Sequence, residues 1–484
     1  MLNQMPAFQN LRRWLKPLAG SLPPLYLVGG CVRDHLLGRP PRDIDLVCLD
    51  AEATARRIAA RNGAAFVTLA PRGVLPCYRV VHRQDPDLQA DIAPLYRGDL
   101  TADLKRRDFT LNAMAITLSA DGRPGPVVDP LHGQNDLQRR VIRMAGPGAI
   151  TDDPLRILRA FRFSAQLDGT IEARTLAAIR SDAPRLAAVS VERIAHEFVS
   201  ILETPRAAVA IRRLDDLGIL EAIVPEIAPM KGCAQNRFHH LDVWDHALLV
   251  LENCEGLLNG LEAYFGPEAP AIRANLAPEN RLAWLKFAAL LHDIGKPPTR
   301  SADPATGSVT FYDHPRVGAD LTAVIARRLH LSRRTAQYLH TLVDEHRRVF
   351  ALSAPEVRQR TRLRWLRKVG AEAVPLIIHG LADTLGTLGP ASRPERKDLY
   401  LAWARETLGA FWQEITPRLD RPCLVSGHDL IDLGLKPGPR MGAVLQQVRE
   451  AQDCGDIHDR EGALALARRL IAAAISPSPR RPSV

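Results

Sequence analysis

Leu27-Val28-Gly29-Gly30-Cys31-Val32-Arg33-Asp34 decides the fold at the start of this chain, together with Arg42-Asp43-Ile44-Asp45-Leu46 shortly after it. The apolar residues before the glycine pair predict a buried strand, the pair predicts a tight turn, and residues 31–37 predict a helix closed by Gly38. The first amides of a helix lack intrahelical partners, and glycines let a phosphate approach them closely. The turn therefore predicts an anion-binding site.

Two carboxylates, Asp43 and Asp45, follow on the next predicted strand. Residues two apart on a strand face the same side, so the two side chains converge while Ile44 and Leu46 face the core. A bare pair of this kind is often only a solvated strand end. Beside a phosphate cradle it favours divalent metal, which would activate an attacking hydroxyl and neutralise a triphosphate and its leaving pyrophosphate.

The composition is that of a globular protein with a polyanionic partner. The chain has 484 residues, 46% hydrophobic and 24% charged, with a net charge of +10, and its length predicts three or four domains. Arginine dominates the basic residues, which suits phosphate contacts but is equally a mark of a GC-rich genome. The 7 cysteines include no CxxC pair, so we expect neither disulfides nor a cysteine zinc site. We find no apolar run long enough to span a membrane and no signal peptide, and we expect a cytoplasmic protein.

The pattern of elements changes once along the chain. Short β-rich runs alternate with helices up to about residue 145, and after Asp152 the apolar spacing is almost entirely helical. The predicted class is therefore α+β, with an all-α remainder. The predicted strands are 25–28, 44–48, 65–69, 78–81 and 113–118.

Further segments carry a family resemblance. They are Arg106-Arg107-Asp108-Phe109-Thr110-Leu111-Asn112-Ala113-Met114-Ala115; Asp129-Pro130 with Gly133, Asp136-Leu137 and Ile142-Arg143; Asp152-Asp153-Pro154-Leu155-Arg156-Ile157-Leu158-Arg159; and Ser190-Val191-Glu192-Arg193. With the opening stretch they resemble, in order, five motifs of the class II nucleotidyltransferases, which are the bacterial tRNA CCA-adding enzymes and poly(A) polymerases. The resemblance implies a nucleotidyltransferase head with a small mixed sheet (22–150), a helical RNA-binding neck (151–238), an HD body (239–388), a helical tRNA-binding tail (389–475) and a disordered end (476–484).

The resemblance also implies roles for single residues of the head. Asp43 and Asp45 would be catalytic and hold Mg²⁺. Arg107 can donate a fork of hydrogen bonds to triphosphate oxygens, and Asp108 can accept from a ribose hydroxyl, which would favour ribonucleotides. The remaining residues expected at the nucleotide are Gly30, Arg33 and Asn112, while Arg106 can be merely a solvated neighbour.

Asp153 and Arg156 suggest how the nucleotide is chosen. We expect one helical turn to place the two side chains together. Cytosine and adenine both present an amino donor beside a ring-nitrogen acceptor, which a carboxylate plus a guanidinium complements, whereas guanine and uracil do not. The alternative is a simple intrahelical salt bridge. Asp152 stands where the family usually has Glu, and Arg159, one turn later, is expected at the triphosphate.

A second constellation lies between residues 240 and 385. A lone histidine there is more often a surface or core residue than a ligand, but the adjacent His292-Asp293 pair resembles the HD phosphohydrolase signature. Imidazole and carboxylate ligands suit a transition metal that activates water against a phosphate ester. The expected ligand set is His246, His292, Asp293, His314, His346 and Asp383. The alternative is an inherited helical scaffold that carries tRNA.

Two basic segments of the second half are candidates for RNA contact. Lys436 and Arg440 lie beside the predicted start of a helix at Ala443, where an RNA phosphate could bind, although a helix-capping turn explains the segment equally well. The basic helix 356–368 either lines the RNA path or is a solvated face.

The leading hypothesis is an enzyme that adds C and/or A to tRNA 3′ ends from CTP and ATP. Only residues 94–102 separate Asp91-Ile92-Ala93 from Asp103-Leu104, and a short loop here is associated in the family with stopping after CC. The alternatives are a CC-adding enzyme, an A-adding enzyme or a poly(A) polymerase; from other classes, an HD phosphohydrolase whose head only binds nucleotide, or a non-catalytic RNA-binding protein. The sequence leaves the oligomeric state open.

Overall fold

The computed structural model describes residues 6–41, 43–69, 76–83, 89–387, 389 and 395–473. The chain divides into two compact units, Met1–Ile223 and Val224–Val484. The end predicted to be disordered, 476–484, lies outside the described residues, and the four-part domain division stays a prediction.

A seven-stranded mixed sheet forms the centre of the first unit. Its strands are β1 (Leu25–Val28), β2 (Ile44–Cys48), β3 (Ala65–Leu69), β4 (Cys77–Val81), β5 (Gln89–Pro94), β6 (Ala115–Leu118) and β7 (Pro124–Val128). The strand order is β3-β4-β5-β2-β1-β6-β7. β2 and β5 run parallel, and the other pairings are antiparallel. The predicted α+β class with a small mixed sheet is confirmed, although β5 and β7 were not predicted.

Helices cover the sheet and form the rest of this unit. They are α1 (Pro6–Leu15), α2 (Gly30–Leu36), α3 (Ala51–Asn62), α4 (Leu100–Lys105), α5 (Gly133–Gln138), α6 (Ala149–Asp152), α7 (Arg156–Leu167), α8 (Ala173–Asp182), α9 (Val191–Leu202), α10 (Ala207–Asp216) and α11 (Ile219–Ile223), with a two-stranded ribbon of β8 (Val141–Ile142) and β9 (Thr170–Ile171). Helix α2 follows the glycine pair as predicted, one residue earlier than expected. Ile44 and Leu46 are buried, so Asp45 on β2 and Asp43 just before it lie on the opposite face of the strand.

The second unit is almost entirely helical. Its helices are α12 (Val243–Asn259), α13 (Leu261–Phe265), α14 (Ala269–Leu276), α15 (Arg281–Leu291), α16 (Lys296–Thr299), α17 (His314–Arg328), α18 (Arg333–Glu345), α19 (Arg348–Leu352), α20 (Gln359–Val369), α21 (Ala373–Gly386), α22 (Glu395–Ala410), α23 (Thr416–Asp420), α24 (Gly427–Asp432), α25 (Pro439–Cys454) and α26 (Arg460–Ala473). A short ribbon of β10 (Arg300–Ala302) and β11 (Val309–Phe311) precedes α17. Helices α24, α25 and α26 share a small apolar core of their own that includes Leu430, Val448 and Ala467.

The basic helix of the sequence, now α20, faces another helix of the same unit. Arg360 and Arg364 both donate to the Glu450 carboxylate on α25, at 2.9 and 2.5 Å. Arg367 forms two hydrogen bonds of 2.6 Å to Asp453, also on α25. Both carboxylates are buried. These arginines therefore attach α25 to α20.

Within the described residues, no helix combines the length and the apolar character needed to cross a bilayer. The cytoplasmic location expected from the sequence stays a prediction.

Candidate active site and candidate metal centre

Acidic side chains meet on one face of the head sheet. Asp45 on β2 pairs in register with Asp91 on the parallel strand β5, and Asp91 pairs in register with Arg79 on β4. In-register residues on adjacent strands place their side chains about 5 Å apart on the same face. Asp43, two residues before Asp45, lies at the same edge and accepts a hydrogen bond from Gln89 at 3.3 Å. Three carboxylates thus share one small region.

Burial and mutual repulsion disfavour ionisation of Asp45. Its pKa is raised to about 6, first because the carboxylate is desolvated and further because Asp91 and Asp43 are close, while the positive charge of Arg107 lowers it. A divalent cation would relieve this repulsion, and carboxylate oxygens are the ligands that Mg²⁺ prefers. The donor set therefore fits the metal expected from the sequence.

Gly29 leaves room for the two groups that meet at this point. Its φ of +75° lies in the left-handed region, and a Cβ there would stand 3.2 Å from Nη1 of Arg107 and 3.3 Å from Oδ2 of Asp45. Both contacts are tighter than ordinary carbon packing. The first glycine of the pair thus lets a guanidinium and a carboxylate approach the turn at the start of α2.

Asp91 and Arg79 are site residues that the sequence reasoning missed. They form a bidentate pair at 2.7 and 2.8 Å. Asp91 was noted only as the start of a short loop, because nothing local in Gln89–Pro94 says which strand it pairs with. An acidic residue between apolar neighbours, Ala90 and Ile92, was the one available signal.

Four of the expected nucleotide-binding residues, Arg33, Asn112, Asp108 and Arg159, form a connected network. Arg33 donates to Oδ1 of Asn112 at 2.9 Å, and the amide of Asn112 donates to Asp108 at 3.1 Å. Arg159 donates to Oδ2 of Asp108 through Nε and Nη2, at 3.0 and 2.7 Å. Arg33 and Arg159 also stack on the buried ring of Phe163, with their guanidinium carbons 5.0 and 5.5 Å from its centroid.

Asp108 is the acceptor at the centre of this network. Burial raises its pKa, but the charge and hydrogen bonds of Arg159 and the amide of Asn112 outweigh burial, and the pKa lies below its usual value. Its Oδ1 also accepts from the Phe109 amide at 2.7 Å. Both oxygens are thus occupied by protein donors. The ribose contact expected of Asp108 would require one of these donors to move.

Arg106 and Arg107 lie side by side in sequence but have different partners. Arg107 forms a salt bridge of 2.9 Å with Asp103 on α4, which orients its guanidinium toward Gly29. Arg106 stacks on Tyr96 at 4.5 Å. Arg107 is the arginine placed at the carboxylates.

The helical pairing expected of Asp153 and Arg156 is wrong. Asp153 lies between α6 and α7 with φ −146° and ψ 97°, an extended conformation. The residue before a proline is disfavoured in helical geometry, and Pro154 follows it. Asp153 forms a salt bridge of 2.8 Å with Arg193, whereas Arg156 donates to the carbonyls of Arg106, Arg107 and Ala149. A joint role at the base would require both side chains to change partners.

The second unit brings all six predicted HD residues together. Nε2 of His292 and of His314 lie 3.1 and 3.3 Å from the carboxylate oxygens of Asp293, and Nε2 of His346 lies at 3.7 Å. Nε2 of His246 lies 3.1 Å from Asp383 and 3.8 Å from Asp293. Two groups can each hold an ion, His246 with His292 and Asp293, and Asp293 with His314 and His346.

Local hydrogen bonds fix the orientation of three of these rings. Nδ1 of His292, His314 and His346 each lies 2.6–2.9 Å from the backbone carbonyl three residues earlier. A carbonyl only accepts, so each Nδ1 carries a proton, and in the neutral ring Nε2 is the nitrogen whose lone pair can bind a metal. In the described part of the chain, Nε2 of His292 and His314 has no hydrogen-bond partner although both atoms are buried. Lone pairs that face carboxylate oxygens fit a cation between them.

A lysine and further histidines complete the surroundings. Lys296 donates to Asp293 and to Gln235, both at 2.6 Å. Burial lowers the pKa of His379 and of His239 to about 3 in both cases, and both rings are therefore neutral. The ring of His239 packs against His246 at 4.7 Å.

Comparison with known proteins agrees with this architecture. Three family models match: the poly A polymerase head domain over residues 25–73 and 74–143, the probable RNA and SrmB-binding site of polymerase A over 169–231, and the HD domain over 243–385. The A-adding tRNA nucleotidyltransferase of Deinococcus radiodurans is 36% identical over 459 residues, which cover 94% of this chain and 97% of that protein. The chain belongs to the tRNA nucleotidyltransferase and poly(A) polymerase family.

Other members of the family are similar over nearly the whole chain. The CC-adding tRNA nucleotidyltransferase of Thermus thermophilus is 33% identical over 447 residues, 90% of this chain and 92% of that protein. The structure of the Thermotoga maritima CCA-adding enzyme complexed with tRNA has the same fold, with a TM-score of 0.62, 23% identity, and coverage of 98% and 97%. The protein is thus a nucleotidyltransferase, and the family resemblance read from its motifs is confirmed.

The two tail residues expected to bind RNA lie at the surface. Lys436 follows the buried Leu435, and Arg440 is in the first turn of α25, which begins at Pro439 rather than Ala443. Their role stays a prediction.

Replacing Asp45 by Asn should stabilise the metal-free protein at neutral pH. The acid form of Asp45 is favoured on folding because its pKa rises from 3.8 to about 6, so the cost of the ionised form is absent below pH 4 and fully present above pH 6. We expect the variant to gain about 3 kcal/mol at pH 7.5 and the gain to be largely lost by pH 4. Calorimetric unfolding in EDTA across this range measures it.

Asp50→Asn, at an exposed carboxylate just after β2, is the matched control and should leave the unfolding temperature nearly unchanged at every pH. A lower unfolding temperature for Asp45→Asn at pH 7.5 would show that the carboxylate is not under electrostatic strain.

Proposed function

We propose that this protein adds C and/or A residues to the 3′ ends of tRNA from CTP and ATP. The observation that carries this is the convergence of Asp43 and Asp45 beside Arg107 at the glycine turn before α2. Relatives named as A-adding and CC-adding enzymes support tRNA as the substrate, as does the family model for an RNA-binding segment at 169–231.

The reaction follows from the charges at the site. The 3′-hydroxyl oxygen of the RNA attacks the α-phosphorus, the bond between the α-phosphorus and the bridging oxygen breaks, pyrophosphate leaves, and the hydroxyl proton is released. Mg²⁺ held by Asp43 and Asp45 would lower the pKa of the attacking hydroxyl and neutralise the pyrophosphate. Arg107 and the amides at the start of α2 would hold the triphosphate, and Arg33 would extend that contact.

Supplying one nucleotide at a time measures which residues the enzyme adds and to which 3′ end. Transcripts of tRNA ending before CCA, after C and after CC are incubated with CTP or ATP separately, with GTP and UTP as controls. We expect extension with CTP, ATP or both, and the transcripts extended distinguish CC-adding, A-adding and complete CCA-adding enzymes. Asp45→Ala should lower the rate at least about a hundredfold, whereas Asp50→Ala, at an exposed carboxylate just after β2, should not.

Comparable extension with GTP or UTP, or none with any nucleotide, would contradict the proposal. Long adenosine tails on unrelated RNA would instead identify a poly(A) polymerase.

Phe163 gives a test of the arginine network that leaves the shape of the core unchanged. Pentafluorophenylalanine at this position reverses the polarity of the ring on which Arg33 and Arg159 stack, together with Arg162 at 4.4 Å. We expect KM for the nucleotide to rise about three- to tenfold, with a smaller change in kcat. The control is the same replacement at Phe161, buried on α7 and without a stacked arginine among the described residues. Equal effects at both positions would assign Phe163 a packing role only.

We propose a second activity, the metal-dependent hydrolysis of phosphate esters at RNA 3′ ends, in the HD body. The fixed imidazoles of His292, His314 and His346 around Asp293 support it. A water oxygen would bond to phosphorus, the ester P–O bond would break, and the released ribose oxygen would take up a proton. A divalent transition metal held by these residues would activate the water.

His292→Ala should lower both bound transition metal, measured by mass spectrometry, and hydrolysis of RNA ending in a 2′,3′-cyclic phosphate by at least about tenfold. His428→Ala, at an exposed histidine of the tail, is the control, and Asp45→Ala should leave hydrolysis intact. If the protein purifies metal-free and stays inert with several added metals, the HD body is a scaffold and not a hydrolase.

A further inference from the structure

Two adjoining hollows of the second unit share a wall. The first, of about 430 Å³, is lined by Asp293, His314, His346 and Asp383 of the metal cluster. The second, of about 500 Å³, has mainly apolar walls that include Pro355. The residues that line both are Phe238, Phe350 and Arg396. A molecule that enters the metal cavity therefore has an apolar surface beside it.

Apolar side chains are unusually exposed at this junction. Phe238 is 39% exposed, and Leu399 in the second hollow is 56% exposed. Phe350, the other aromatic residue of the shared wall, is partly exposed. We call Phe238, Phe350 and Leu399 the apolar shelf. Apolar side chains grouped beside a cavity are typical of ligand-binding surfaces.

The shelf is held in place next to the metal cluster. The backbone carbonyl of Phe238 accepts a hydrogen bond from Gly389 at 2.8 Å, and its amide donates to Asn236 at 3.2 Å. A Cβ on Gly389 would lie 2.2 Å from the carbonyl carbon of Phe238, so only glycine permits this approach. The residue after Phe238 is His239, whose ring contacts the expected ligand His246. Phe350 follows the expected ligand His346 by four residues. The backbone at Phe238 is thus held in place, and the side chains of Phe238 and Phe350 line the cavity of the metal cluster.

Positive side chains surround the mouth of the metal cavity. Arg347 and Arg396 are exposed and line it, and Lys296 reaches Asp293 from the inside. Guanidinium groups on a rim attract phosphate. The combination of a metal centre, a cationic rim and an aromatic shelf matches the parts of a nucleotide: ester phosphate, backbone phosphate and base.

We propose that the apolar shelf binds the base of a terminal nucleotide while its phosphate lies at the metal cluster, so that the site takes nucleotides rather than small phosphate esters without a base. The favoured source is a single-stranded RNA 3′ end, because Arg347 and Arg396 add contacts for a preceding phosphate. The inference rests on the proposed hydrolase function of this body. Base stacking on aromatic side chains tolerates any base and is stronger for purines, which present the larger surface.

A binding measurement tests the shelf without relying on hydrolysis. The probe is a five-nucleotide RNA whose last base is 2-aminopurine, whose fluorescence falls on stacking, and whose 3′-phosphate prevents extension. We expect quenching with the wild-type protein, and an affinity about tenfold weaker with little quenching for Phe238→Leu. Phe238→Tyr should retain both. Tyr264→Leu, on α13 and outside the residues that line either hollow, is the control.

Hydrolysis with and without a base distinguishes the shelf from a general defect. For RNA ending in adenosine 2′,3′-cyclic phosphate, Phe238→Leu should raise KM about tenfold with kcat nearly unchanged. For the same RNA ending in an abasic ribose cyclic phosphate, wild type and variant should behave alike. Equal losses on both substrates, or no loss on either, would overturn the proposal.

Three further outcomes each have a definite interpretation. Wild-type protein that hydrolyses neither substrate would refute the hydrolase, and the fluorescence titration would still decide whether the shelf binds a base. Binding of a single 2-aminopurine nucleotide as tight as that of the RNA would identify free nucleotides as the source. Unchanged quenching in Phe238→Leu would refute the shelf itself.

Discussion

The in-register pairing of β2 with β5 is the constraint on which the head depends. It places Asp45 beside Asp91, with Asp43 at the same edge, and so brings negative charge together where water is partly excluded. Two arginines partly neutralise this charge. Arg79 binds Asp91 from the neighbouring strand, and Arg107 approaches Asp45 next to Gly29. Arg107 is in turn positioned by Asp103. The remaining repulsion between the carboxylates destabilises the metal-free site. A divalent cation would relieve it, so the same repulsion favours metal binding.

In the HD body, local hydrogen bonds orient the side chains of the candidate metal site. Each of three imidazoles is oriented by a carbonyl three residues earlier in its own segment, so the direction of its metal-facing nitrogen depends on local contacts. Tertiary packing must then bring together α12, α15, α17, α18 and α21. Resemblance to the HD signature identified six residues that do meet. In the head, Asp91 was missed because its position depends on pairing with a partner strand.

Sequence reasoning predicted elements with strong local patterns better than elements that depend on long-range pairing. Strands rich in branched and aromatic residues, such as 25–28 and 44–48, were predicted at their observed positions. β5 (Gln89–Pro94) and β7 (Pro124–Val128) were not, because Pro and Asp, or Pro and Gly, are depleted in strands, and long-range pairing overrides that preference. The expected turn at Asp153 failed for a local reason that was available: Pro154 disfavours helical geometry at the residue before it. The network of Arg33, Asn112, Asp108 and Arg159 joins residues up to 126 positions apart and has no sequence signature beyond the motifs themselves.

The charge of this protein is a poorer guide to RNA contact than the net value of +10 suggests. The basic residues of α20 were predicted either to line an RNA path or to form a solvated face, and several have protein partners. Arg360 and Arg364 share Glu450, Arg367 binds Asp453, and Arg362 donates to the carbonyls of Leu352 and Ala354. A buried carboxylate needs such partners, because an unpaired charge away from water is strongly destabilising. The side chains of Glu450 and Asp453 are only 6% and 4% exposed. These arginines therefore serve the fold by pairing with buried carboxylates, so the net charge does not by itself locate an RNA-binding surface.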